Sequence, residues 1–244
     1  MRGAGWLRGP IALWMAALVS ACAGLPRDPS LPIDDPNEQT NRRILTVNQA
    51  LLDPVSNVVK AVTPDPVRNR LRDLDDNIQE PRIFGNDVLQ GRFGAASVTL
   101  GRFVFNSIFG LGGLVDVATP GGLPKQSGDF GQTLFVWGVT AGPFVERPYF
   151  GPATTRDAVG QTVDMVGDPV GWALGLAWGW PAVAGEAGLD ASVHLAEWKE
   201  AESASIDFYS FLRSDYYQTR RATLREALGL PPIVESPATA GTSR

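Results

Sequence analysis

The segment Arg92–Phe109 puts two unlike surfaces on one short stretch of chain. Phe93, Ala96, Leu100, Phe103, Val104 and Ile108 recur at three- and four-residue spacing, while Arg92, Thr99, Arg102 and Asn106 form a narrow polar stripe opposite them. This is the period of a helix that must bury one face and satisfy the other. Spacing alone leaves the polar stripe open to two readings, an ordinary solvated face or the lining of a polar interior.

Helical spacing dominates elsewhere too. From Asn41, the residues Ile44, Val47, Leu51, Val55, Val58 and Val62 make a single apolar stripe, which Asp53-Pro54 should kink or break and Thr63–Pro66 should end. Arg68–Ile78 reads as a short charged helix before Pro81. Asp129 to Asp164, rich in glycine, proline and aromatics, predicts irregular structure followed by a helix near Arg156–Met165. Two amphipathic helices follow at about 187–203 and 205–228. The second sets Phe208, Phe211, Leu212, Tyr216 and Leu224 against Arg213, Arg220, Arg221 and Arg225, and it stops at Gly229 and Pro231-Pro232. Strand-like alternation is scarce, so the fold class is mainly α.

Two stretches break the helical pattern. Gly110–Pro124 interleaves glycine and proline with aliphatics and suits a turn or hairpin. It is not a nucleotide-binding loop, because Val115 stands where the third glycine is needed. Pro169–Gly185 carries no charge, yet its prolines and glycines make it a weak membrane-spanning helix. Trp172, Trp178 and Trp180 suit a segment lying in a bilayer interface; a buried core hairpin is the alternative.

At the N-terminus, Arg2 and Arg8 precede the apolar run Pro10–Val19, and Val19-Ser20-Ala21-Cys22 resembles a bacterial lipobox. Residues 1–21 are then a leader, Cys22 an acylated terminus, 22–36 a proline-rich tether, 37–229 the folded domain and 230–244 a disordered tail. Cys22 is the only cysteine of 244 residues, which suits an exported chain without a disulfide. Ala23, rather than aspartate, usually directs such lipoproteins to the outer membrane.

Several function classes drop out on composition. A formal charge of -5 without a lysine or arginine run does not suit nucleic acid. His194 is the sole histidine, so neither a histidine- nor a cysteine-based metal centre can form. No GxSxG motif occurs, any catalytic triad would depend on His194 in an amphipathic helix, and Asp75-Asp76 point apart on a charged one. No cofactor motif is present. These absences argue against an enzyme.

An ordered set of short motifs carries a family resemblance. It runs from Asp35–Arg42 and Asn48 with Leu52-Asp53-Pro54, through Pro66-Val67-Arg68, Glu80-Pro81, Asn86 and Leu89-Gln90-Gly91, to Arg102-Phe103 with Asn106 and Gly110–Asp116. The most specific block is Asp129–Leu134, Trp137-Gly138, Gly142-Pro143, Pro148, Gly151-Pro152 and Arg156-Asp157. Over about residues 34–220 the chain resembles the MlaA/VacJ family of lipoproteins, which belong to a system that maintains lipid asymmetry. The tail beyond Leu228 has no counterpart in that pattern.

The resemblance implies a ring of amphipathic, membrane-interfacial helices around a central amphipathic pore, sunk in the inner leaflet of the bacterial outer membrane. It implies phospholipids as cargo, a trimeric outer-membrane porin as neighbour and a soluble periplasmic phospholipid carrier as recipient, with no catalytic residue or cofactor. Arg102, Phe103 and Asn106 become candidates for lipid pore and headgroup contact. Gly110, Leu111, Gly112, Gly113, Leu114, Val115 and Asp116 become the gating loop. A non-transporting outer-membrane scaffold and, further off, a phospholipase are the competing readings.

Overall fold

A computed structural model describes residues 34–62, 64–178, 198–199 and 201–231. Its elements are α1 (Glu38–Val62), α2 (Asp65–Leu89), α3 (Phe93–Phe109), α4 (Phe130–Val136), a hairpin of β1 (Phe144–Arg147) and β2 (Gly151–Thr154), α5 (Thr155–Gly167), α6 (Pro169–Trp178) and α7 (Phe208–Ala227). The leader, Cys22, most of the tether, the side chains of Val55, Val58 and Val62, Trp180, His194 and the tail beyond residue 231 lie outside the described residues.

The mainly α expectation holds, with three corrections to its elements. α1 begins earlier than Asn41 and is not broken at Pro54, where the sequence predicts a kink or a break. The short charged helix is the first half of a 25-residue α2 that contains Pro81. Each proline removes one amide from the helical ladder, but packing against neighbouring elements outweighs that local loss. The third correction lies in the stretch expected to be irregular, where α4 and the hairpin form. Asp129 caps α4 by accepting from the Gln132 amide at 2.8 Å, and Thr154 caps α5.

Both edges of the hairpin are occupied by side chains. On α1, Asn41 donates to the Phe144 carbonyl and accepts from the Glu146 amide. Two turns on, Asn48 donates to the Arg147 carbonyl and accepts from the Tyr149 amide. The Tyr216 hydroxyl accepts from the Thr154 amide on the other edge. Two asparagines seven residues apart thus do the work of a third strand. An aromatic nucleus sits here, with Phe144 among Tyr209, Tyr216 and Tyr217, and Leu45 and Phe208 beside it.

Away from that nucleus the usual polarity is inverted. Among the described residues, buried polar and charged side chains outnumber buried apolar ones. α3 buries Thr99, Arg102 and Asn106 with Ala96, while Phe93 is 70% and Ile108 65% exposed. α5 buries Arg156, Asp157, Gly160 and Asp164 and exposes Val159, Val163 and Val166. α2 buries Asp75, Asn77, Glu80, Asn86 and Asp87. The polar stripe of α3 is therefore not a solvated face, and the apolar stripe is not a core. No described helix is long and apolar enough to cross a membrane.

α4 and α5 meet backbone to backbone. A Cβ on Gly160 would lie 2.3 Å from the Gly131 nitrogen, so only glycine fits. Polar ties then hold the contact: Asp164 accepts from the Asn86 side chain and the Phe130 amide, both at 2.8 Å.

Two predictions follow from burial. Ile108→Lys leaves the thermal midpoint in detergent within a few degrees but lowers partition onto vesicles by about tenfold in a flotation assay, since an exposed isoleucine loses about 1.5–3 kcal/mol of apolar burial in lipid. Glu146 is 2% exposed, and burial pushes its carboxyl from an ordinary value of 4.5 up to about 7. Between those values the folded form keeps a proton that the unfolded chain has released, so stability falls as pH climbs from 4.5 to about 7. Glu146→Gln flattens that slope, a difference on the order of 3 kcal/mol by chemical denaturation at matched pH.

Candidate functional site: a glycine-rich loop fastened to a buried arginine

After α3, residues 110–124 fold into a series of turns with no strand. Gly110 continues the helix by donating to the Asn106 carbonyl, and then the chain reverses through Leu111, Gly112 and Gly113, all at positive φ. Leu111 adopts 57° and is 76% exposed, so the tip of the loop presents an aliphatic side chain outward on a backbone that favours glycine. Beneath it, Asn77 of α2 donates to Ser107 and to the Gly112 carbonyl. A Cβ on Gly113 would lie 2.6 Å from the Asn77 side chain, so glycine is required there by space as well as by φ.

Arg102 holds the second half of the loop. Its side chain is 1% exposed and donates to Glu80 at 2.6 Å, Thr119 Oγ1 at 2.9 Å, the Leu123 carbonyl at 2.7 Å and Asp116 at 3.3 Å. Asn106 completes the fastening: its side-chain oxygen accepts from the Val117 and Ala118 amides, both at 2.9 Å. Asp116 in turn accepts from the Thr119 amide and hydroxyl. Ala118, at the centre, is fully buried.

The electrostatics follow from this geometry. Burial pushes the Glu80 carboxyl up, against the opposing pull of Arg102. Burial would raise Asp116 as well, but the Thr119 hydroxyl and amide together with Arg102 outweigh it and bring Asp116 down to about 2. One guanidinium thus serves a deep carboxylate on α2 and a shallower one on the loop, and its planar fork is what lets it reach both.

The structure brings the expected site residues Arg102 and Asn106 together beside the loop. Arg102 and Asn106 share one buried face, and their polar atoms go to the loop and to α2 rather than to open space. At both positions the polar stripe of α3 packs against protein. Phe103 lies half-buried beside them. Gly110–Leu114 form a turn that bends at Val115, and Asp116 continues the loop without regular structure. Glu80, Asn77, Thr119 and Leu123 were not singled out as site residues, although an unmatched arginine on one helix calls for an acid on its neighbour.

Removing one partner of a buried pair leaves the other uncompensated. Arg102→Met is expected to lower unfolding stability by about 3–5 kcal/mol. The double variant Arg102→Met with Glu80→Gln recovers part of that loss, read as a coupling energy in thermal unfolding of detergent-solubilised protein.

Known proteins share this architecture. A family model described as MlaA lipoprotein matches residues 33–223, close to the span marked by the sequence motifs. The intermembrane phospholipid transport system lipoprotein MlaA of Escherichia coli (strain K12) is 32% identical over 195 residues, covering 75% of this chain and 76% of that protein. The protein of the same name from Haemophilus influenzae is 31% identical over 184 residues, 70% of each. A solved structure described as the structural basis for maintenance of bacterial outer membrane lipid asymmetry matches with a TM-score of 0.64 and 27% identity, covering 78% of this chain and 98% of that chain. Inward-facing polar helices and an ordered sequence match that both extend across the domain lead to one conclusion: the chain belongs to the MlaA lipoprotein family.

Proposed function

We propose that this protein is a phospholipid-transport lipoprotein of the bacterial outer membrane, seated in the inner leaflet, that lets mislocalised phospholipids leave the outer leaflet through an amphipathic pore. The observation that carries this reading is the inverted polarity of α2, α3 and α5. Valine, phenylalanine and isoleucine point outward on helices none of which can cross a bilayer, and polar and charged groups turn inward, most of them paired with one another. Such a body rests in one leaflet without spanning it.

The physical problem it addresses is the charged headgroup, which is costly to draw through hydrocarbon without polar partners. A passage with polar groups inside and an apolar exterior lowers that cost while the acyl chains keep apolar surroundings. Immersion in one leaflet excludes that leaflet's own lipids and admits those above. In this reading Arg102 and Asn106 set the loop beside the passage, and Gly110–Asp116 form its gate. A trimeric porin beside the ring and a soluble periplasmic carrier receiving the lipid complete the scheme. It requires no covalent chemistry from this chain.

Mass spectrometry of detergent-purified protein should find intact phospholipid at about one equivalent or more, and incubated vesicles should yield no lysolipid. Absence of bound phospholipid would favour a scaffold, and lysolipid a phospholipase. Gly113→Val, which drives a side chain into Asn77, should alter clearance of fluorescent phospholipid severalfold while the protein stays in the outer membrane; wild-type clearance would remove the gate assignment.

A further inference from the structure

The two ends of the loop are fastened by different kinds of contact. The near-end fastening reaches as far as Leu123: Arg102 and Asn106 are almost completely buried on α3, Asn106 takes the Val117 and Ala118 amides, and Arg102 donates to Thr119 and the Leu123 carbonyl. At the far end the chain crosses beneath α7 as a strap, residues 125–129. Lys125 pairs with Asp76 of α2. Ser127 donates through its amide at 3.1 Å and its hydroxyl at 2.7 Å to Glu226 of α7. Arg92, at the start of α3, donates to the Ser127 carbonyl and to Glu226, each at 3.0 Å. Asp129 is held by Arg220, also of α7.

Glu226 differs from the near-end fasteners in two respects. Its side chain is 41% exposed, where that of Arg102 is 1% exposed, so water can compete for every bond it makes. It also stands in the last turn of α7, where the negative end of the helix dipole disfavours a carboxylate. A residue that opposes its own helix, grips the strap through two bonds to Ser127 and takes a third from Arg92 is placed there for the strap.

We propose that Glu226 is the releasable clasp of the loop, a positioning residue through which α7 sets how readily residues 124–127 leave the body of the protein. The near-end fastening then acts as the hinge, since Asn106 keeps Val117 and Ala118 against α3 whether the clasp is shut or open. This rests on the reading that the loop gates lipid passage. It adds that the gate swings from its far end and that α7 is the element to which a regulating contact would have to be applied.

The test is hydrogen exchange on the full-length lipoprotein in detergent, comparing wild type, Glu226→Ala and the milder Glu226→Gln, with fluorescent-phospholipid transfer measured on the same samples. An open clasp gives about tenfold faster exchange at Ser127 in Glu226→Ala, with a smaller effect in Glu226→Gln, while Val117, Ala118, Gly121–Leu123 and the α3 amides keep their protection. General destabilisation would accelerate all of these together and overturn the proposal, as would unchanged exchange at Ser127 in both variants. Faster exchange confined to the far end with unaltered lipid transfer would uphold the clasp and remove the gate reading instead.

Discussion

A chain that turns valine, isoleucine and phenylalanine outward has to satisfy its polar groups with one another. In this protein that constraint organises nearly every contact between elements. Arg102 meets Glu80 and Asp116, Arg220 meets Asp129 and Asp157, and Asn86 meets Asp164. A buried charge without a partner costs several times what a surface pair contributes, so these contacts act less as added stability than as a condition on which arrangements are possible. The helices can pack only in the register that matches donors to acceptors.

The same constraint explains why two kinds of interior coexist. Around Phe144 the hairpin, α1 and α7 enclose an aromatic nucleus of the ordinary sort. Where α2 packs on α3, and where α5 reaches α2 and α7, polar atoms take its place. Arg220 and Tyr216 join the two regions: Arg220 grips Asp129 and Asp157 at once, and the Tyr216 hydroxyl donates to Asp157 while accepting from β2. α7 is thus tied both to the aromatic nucleus and to the polar body, which places it where movement of the loop strap can be felt.

The glycine-rich loop illustrates how conformation and space act together. Its glycines lend the backbone freedom in the unfolded chain, but in the folded protein they are spent on positive φ at Gly112 and Gly113 and on room for Asn77. What remains exposed at the tip is Leu111. A loop built in this way is ordered at rest, so any motion must come from parting a small number of identifiable bonds rather than from general looseness.

Periodicity alone determined the mainly α class, the amphipathic character of α3 and α7 and the break at Gly110, because a helix repeats its faces every few residues whatever surrounds it. It also showed that Arg102 and Asn106 share a face. Ordered motifs such as Asp129–Leu134 and Arg156-Asp157 marked the family, and in the folded chain Asp129, Thr133, Arg156 and Asp157 are donors and acceptors of one interior. Which face looks inward was decided only by tertiary structure, since the moment of a helix has the same size whether its polar side meets water or another polar helix. The partners of Arg102, the passage of α2 through Pro81 and the asparagines that edge the hairpin were undecided for the same reason. Each depends on groups far apart in sequence, and only the folded chain brings them within hydrogen-bonding distance.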